Sequence, residues 1–170
     1  MNTKTFTRIA MIAAIYTVIS LVLAPITYGP IQVRIAEALT LLPLIYTPSI
    51  YGVTIGCFLT NLIGAITGIN PTGIMDSIIG TTATLLAALG TYYFRNHKIH
   101  GIPVLSILMP VLFNFIFIGM ELGYLLFPED FIRGSLICGA EVAVGEFISV
   151  VIGYFIIKIL NNTKLFQEEV

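Results

Sequence analysis

Long apolar runs separated by short polar turns extend along the whole sequence. They predict helices at residues 5–24, 34–46, 49–68, 73–94, 103–127 and 131–160. Five of these runs reach the roughly 20 residues that cross a bilayer, and they do not alternate as membrane β-strands do. Gly, Pro and Asn mark the turns between them. We therefore predict an all-α integral membrane protein with six transmembrane helices in a single domain, residues 1–170.

The composition supports this class and suggests an orientation. Charged residues make up 10% of the chain, against about 25% in soluble domains. With six spans both termini share one side, and basic residues concentrate there. That side carries Lys4, Arg8, Arg95, Lys98, Lys158 and Lys164, and the other carries Arg34 and Arg133. The positive-inside rule then places both termini in the cytoplasm.

Acidic residues concentrate in the opposite, outward half. They are Glu37, Asp76, Glu121, Glu129, Asp130, Glu141 and Glu146. Glu146 falls near the bilayer midplane, where a carboxylate costs about 2.5–3.5 kcal/mol even on lenient insertion scales. Glu146 is therefore protonated, paired with Arg34, hydrogen-bonded within the bundle, or functional. Because four helices contribute acids, with amides at Asn61 and Asn114, we predict a shared polar cavity.

A Gly-Pro turn at residues 29–30 leads directly into a polar segment with Gln32, Arg34 and Glu37. Arg34 and Glu37 are three residues apart, so they share a helix face and can pair. A turn followed by charged residues at the edge of a membrane span predicts the mouth of a cavity, a loop that covers it, or a binding site.

The sequence argues against several activities. It has no G-x-x-x-x-G-K-[ST] phosphate loop, no Ser/His/Asp or Cys/His constellation, and no spacing that predicts a metal site or cofactor. Its net charge of −1 is no sign of a nucleic-acid partner. Three readings remain: a transporter subunit energised by other proteins, an intramembrane enzyme with paired carboxylates, and a proton-coupled carrier. The acids lack the D-x-x-x-D spacing of metal-dependent membrane enzymes, which argues against the enzyme. The chain lacks inverted repeats, which argues against the carrier. We therefore favour the transporter subunit.

Small residues form a smooth face on the first helix. Ala10 and Ala14 lie one turn apart, with Ala13 and Thr17 beside them. Such faces let another helix approach closely. This one serves either packing within the chain or docking of a partner.

Four segments resemble the queuosine-precursor transporter family, the substrate-binding (S) components of energy-coupling factor importers. The most specific is YGPIQVRIAEALTLLPLIY at residues 28–46. The others are GCFLTNLIGAITG at 56–68, MDSIIGTTATLLAAL at 75–89 and VGEF at 144–147. The resemblance covers nearly the whole chain.

The resemblance implies a multi-pass protein of the bacterial cell membrane that is not an enzyme. It implies an outward-open ligand site closed by the first outer loop, a coupling membrane subunit, and a pair of ATPases. The coupling subunit would dock on Ala10 and Ala14. The family ligand is a deazaguanine base with an aminomethyl or cyano group, although another vitamin-like ligand is an alternative. We expect ligand contacts from Tyr28, Gln32, Arg34, Glu37, Asn61, Asp76, Asn114, Glu121, Glu141 and Glu146.

Overall fold

The computed structural model describes residues 2–27 and 33–163, and this part of the chain is almost entirely helical. The helices are α1 (Thr3–Val22), α2 (Ala24–Thr27), a long 3₁₀ helix (Ile35–Leu44), α3 (Ser49–Thr67), α4 (Ile74–Tyr93), α5 (Val104–Leu126), a short 3₁₀ turn (Pro128–Asp130) and α6 (Phe131–Asn161).

Five of the described helices, α1 and α3 to α6, are long and apolar enough to cross a membrane. Their exposed surface is largely aliphatic and aromatic, as expected where lipid rather than water surrounds the helices. The molecule is therefore an integral membrane helical bundle. Helix α6 has 31 residues, so at 1.5 Å per residue it is longer than the roughly 30 Å hydrocarbon core.

The segment predicted as a helix over 34–46 forms a 3₁₀ helix of ten residues instead of an α-helix. Pro43 lies inside it, and a proline there lacks the N–H that an α-helix would bond to residue 39. Ten residues are long for this conformation, which seldom exceeds four. Surrounding packing holds the segment, because α1, α4 and α6 all contact it.

Glycines allow the helices to approach closely. A Cβ added at Gly153 of α6 would lie 2.5 Å from the Ala38 carbonyl oxygen on the long 3₁₀ helix. One added at Gly56 of α3 would lie 2.7 Å from the Tyr16 side chain of α1. The buried core lies where these surfaces meet, and it contains Tyr16, Leu41, Leu42, Tyr46, Val53 and Val150.

The order of contacts defines two ends of the bundle. Successive helices from α3 to α6 pack side by side and their short connections make them antiparallel. One end therefore holds residues 24–27, 33–34, 67–74 and 126–131, and we call it the acidic end. The other holds residues 94–103 and the described chain ends, and we call it the basic end.

Candidate functional site

Asp76 is the centre of a buried polar network near the acidic end. Its Oδ2 accepts from Arg34 at 2.8 Å and from the Asn70 amide at 2.9 Å. The Asn61 amide donates to the Asp76 backbone carbonyl at 2.9 Å. The network joins the start of the long 3₁₀ helix to α3, to the turn after α3 and to α4. Asp76 thereby connects two chain segments through its carboxylate and α3 through its backbone carbonyl.

The first turn of α4 suits this carboxylate for two reasons. Asp76 lies in that turn, where the helix dipole favours negative charge. One turn later comes Gly80, where a Cβ would lie 2.1 Å from Asp76 Oδ1 and 2.8 Å from the Asn61 amide nitrogen. Glycine at position 80 therefore makes room for the Asp76 side chain.

Glu37 is a second buried carboxylate, on the long 3₁₀ helix, with no exposed surface. Its Oε1 accepts hydrogen bonds from Tyr16 of α1 and from Thr84 of α4, the latter at 2.9 Å. Three helices thus meet at this oxygen. The charge is also within electrostatic reach of Arg34 and Asp76.

Glu146 of α6 belongs to the same cluster. It is 1% exposed and interacts electrostatically with Glu37 and Arg34. Asn114 of α5 is likewise 1% exposed, and its amide nitrogen donates to the Pro110 carbonyl at 3.0 Å. Its side-chain oxygen accepts from no described residue.

Glu121 of α5 completes the set of buried acids and is within electrostatic reach of Asp76 and Arg34. It also borders an apolar groove of about 530 Å³ between α4 and α5. The Thr72 hydroxyl lies near it, but no described group donates to either carboxylate oxygen in good geometry.

The buried acids and the buried Asn114 carry hydrogen-bond acceptors that lack donors. Within residues 2–27 and 33–163, several buried oxygens accept no hydrogen bond: Glu37 Oε2, Asp76 Oδ1, Asn114 Oδ1, Glu146 Oε1 and both oxygens of Glu121. A buried polar atom without a partner costs about 1–3 kcal/mol, and more when charged. These unpaired oxygens are therefore suited to a ligand that supplies N–H donors.

The structure brings most of the predicted site residues together, with one change of partner and one outlier. Arg34 forms a salt bridge with Asp76, 42 residues away in sequence, whereas the sequence paired it with Glu37. Glu141 is exposed on α6 and lies apart from the buried cluster. Tyr28 and Gln32 fall outside the described residues.

Three further residues contact the buried acids and were not among the predicted site residues. Tyr16, Asn70 and Thr84 bond directly to Glu37 or Asp76. Thr84 follows Asp76 and Gly80 at helical spacing, which was a usable signal. Tyr16 shares the apolar spacing of the α1 core and gave no such signal.

The small residues of α1 divide between two faces. Ala13 and Thr17 are buried, and the Thr17 hydroxyl donates to the Gly56 carbonyl at 3.1 Å. Ala10 and Ala14 are exposed. The buried pair explains the contact with α3, and the exposed pair remains available to another helix.

Two comparisons identify relatives of this chain. A family model described as QueT transporter matches residues 6–162. A curated protein of Lactococcus lactis subsp. cremoris (strain MG1363), named queuosine precursor transporter QueT, is 29% identical over 166 residues, which is 95% of this chain and 94% of the relative. No solved structure matches the chain significantly.

Proposed function

Because the chain belongs to the QueT transporter family, and is thus a multi-pass transporter of the cell membrane rather than an enzyme, we propose that its cargo is a queuosine precursor. In this proposal it is the S component of an energy-coupling factor importer. It binds a deazaguanine base in the buried acidic cluster and delivers it inward with partner proteins. The name of the Lactococcus relative supports the cargo.

The observation that carries the ligand assignment is the set of buried oxygens without described donors. A deazaguanine base presents a ring N–H and an exocyclic amino group side by side. A carboxylate can accept both at once, and the Asn114 side-chain oxygen can accept a further donor. We assign Glu37 and Glu146 as the principal acids, with Asp76 and Glu121 secondary and Asn61 supporting Asp76.

Charge balance favours the aminomethyl form of the base over the cyano form. The cluster holds Glu37, Asp76, Glu121 and Glu146, and Arg34 is the cation among the buried described residues. Burying uncompensated carboxylates is costly. A ligand that carries an ammonium group offsets that cost, whereas a nitrile does not.

We propose that the first outer loop, which precedes Arg34, contributes to the ligand site. Tyr28 and Gln32 belong to this segment, and in the proposal Tyr28 stacks on the base while Gln32 bonds to its edge. Arg34 connects the segment to α4 through Asp76. Closure of this loop over the ligand would therefore act on the site through one ion pair.

The import step requires partners. The 170 residues contain no phosphate loop, so the proposal assigns ATP hydrolysis to a pair of ATPases and docking to a coupling membrane subunit. The exposed Ala10 and Ala14 of α1 offer a smooth surface for that subunit. The basic end, with both termini, faces the cytoplasm in this arrangement.

Ligand binding by carboxamide variants tests the assignment. Glu37→Gln and Glu146→Gln each exchange an acceptor oxygen for a donor, so we expect aminomethyl-deazaguanine affinity to fall at least about tenfold. Calorimetry on purified protein in detergent measures this. Glu129→Gln, which changes an exposed acid of the 126–131 turn, is the matched control.

Wild-type affinity in both site variants would contradict the proposal. Binding of a different vitamin-like compound would leave the family membership unchanged but would show that the ligand is not a deazaguanine.

A further inference from the structure

A concave basic cavity lies at the end of the bundle opposite to the acidic cluster. Its volume is about 380 Å³. Leu44, Ile45, Pro103 and Ile157 form apolar parts of the wall, and Tyr154, Asn96 and Asn161 add polar groups. Three cations, Arg95, Lys98 and Lys158, line it, and no acidic side chain does so among the described residues.

The cations are held by different parts of the fold. Arg95 lies over the Tyr92 ring, 4.0 Å from its centroid, and donates to the Thr47 hydroxyl at 3.2 Å. Lys98 precedes a tight turn at His100 and Gly101, both with positive φ. Two hydrogen bonds between Ile99 and Ile102, of 2.9 and 3.0 Å, close this turn. Local contacts therefore fix the Arg95 side chain and the backbone turn that follows Lys98.

Helix-end electrostatics account for two of these cations. Arg95 lies two residues after the end of α4, and Lys158 lies in the last turn of α6, where the helix dipole favours positive charge. Lys98 belongs to no helix, yet its side chain borders the same cavity. Three converging cations, with no carboxylate among the described lining residues, favour an anion with more than one charged oxygen.

The surroundings favour a lipid over a soluble anion. Near the ends of the same two helices, α4 and α6, Tyr93, Phe155 and Ile159 are 72%, 60% and 67% exposed. These side chains face outward from the bundle at the level where two spanning helices end. A headgroup in the cavity would leave its acyl chains against this apolar surface. Basic pockets between helices near the membrane boundary are known to take anionic headgroups.

We propose that this cavity binds the phosphate headgroup of an anionic phospholipid. Arg95, Lys98 and Lys158 contact the phosphate oxygens, and the acyl chains lie along the outer faces of α4 and α6. The site is independent of the ligand cluster and of the proposed cargo. A lipid bound in this cavity holds the basic end of the bundle at the depth of the lipid headgroups.

Native mass spectrometry of the full chain with added phosphatidylglycerol or phosphatidylcholine tests the proposal. We expect phosphatidylglycerol to bind preferentially, and Lys98→Gln and Lys158→Gln each to weaken it by about fivefold. Lys4→Gln removes the same charge from the same end but outside the cavity, and we expect it to leave the affinity unchanged. Both cavity lysines are exposed, so the variants retain the fold, which their melting temperatures check.

Three results would overturn the proposal. If Lys4→Gln weakened phosphatidylglycerol binding as much as the cavity variants do, the lipid would be attracted by the net charge of this end alone. Equal binding of phosphatidylcholine would remove the role of the anionic headgroup. Displacement of the lipid by millimolar inorganic phosphate would identify the cavity as a site for a soluble anion.

Discussion

The Tyr16 hydroxyl connects α1 to the buried acidic cluster through its hydrogen bond to Glu37. Because Tyr16 is 1% exposed, no water replaces this donor when it is removed. Tyr16→Phe leaves Thr84 as the described donor to Glu37 Oε1. A hydrogen bond to a charged group contributes about 1.5–3 kcal/mol, so we expect ligand affinity to fall by about tenfold. Calorimetry with Tyr51→Phe, an exposed tyrosine of α3, provides the control, and equal affinities would argue against this role.

Gly80 tests whether the Asp76 network needs its present geometry. An alanine methyl there would overlap Asp76 Oδ1 and crowd the Asn61 amide, so we expect Gly80→Ala to lower stability by about 1–3 kcal/mol and to impair ligand binding. Gly90→Ala on the same helix meets the flexible Met109 side chain and should cost less. Thermal unfolding in detergent compares the two, and equal effects would refute the special role of position 80.

At this scale the sequence indicated which charged residues lie together in the bundle better than it indicated their partners. Glu37, Asp76, Glu121 and Glu146 stand out because charge is rare in apolar runs. The bond of Arg34 to Asp76 spans 42 residues and depends on how α4 packs beside the long 3₁₀ helix. Helical spacing describes only local neighbours, so it suggested Glu37 instead.

At the scale of elements, helix positions were more predictable than helix type. The predicted segment 73–94 corresponds to α4 at Ile74–Tyr93, and the segment 103–127 to α5 at Val104–Leu126. The segment 34–46 became a 3₁₀ helix. Pro43 is a local reason to expect a departure from the α-helix. The 3₁₀ conformation also depends on contacts with α1, α4 and α6. The pattern of apolar residues in the sequence does not reveal these contacts.

Helix α1 has two functional faces in this account. Its buried face carries Tyr16 and contacts the ligand cluster, while Ala10 and Ala14 are exposed. We expect Ala14→Leu to preserve ligand binding and to abolish uptake, because a bulky side chain keeps a docking helix away. Ala140→Leu, at an exposed alanine of α6, is the matched control. Uptake of labelled ligand by cells that express each variant measures this, and normal uptake by Ala14→Leu would refute the docking role.

Over the whole molecule, charge is separated along the bundle. Buried acids gather towards one end, and Arg95, Lys98 and Lys158 line a cavity at the other. In the proposed orientation this places the cations at the cytoplasmic surface and the ligand cluster towards the outside. In the two proposals, one chain binds its cargo and an anionic lipid at opposite ends, and both sites consist of residues that interrupt an otherwise apolar sequence.

The proposed function requires that the buried acidic cluster binds a deazaguanine base. Mass spectrometry of the small molecules released by denaturing the purified protein tests this binding. We expect an aminomethyl-deazaguanine in near-stoichiometric amount from the wild-type protein and its loss from Glu146→Gln purified in parallel. Release of no such base, or equal amounts from the two proteins, would contradict the account.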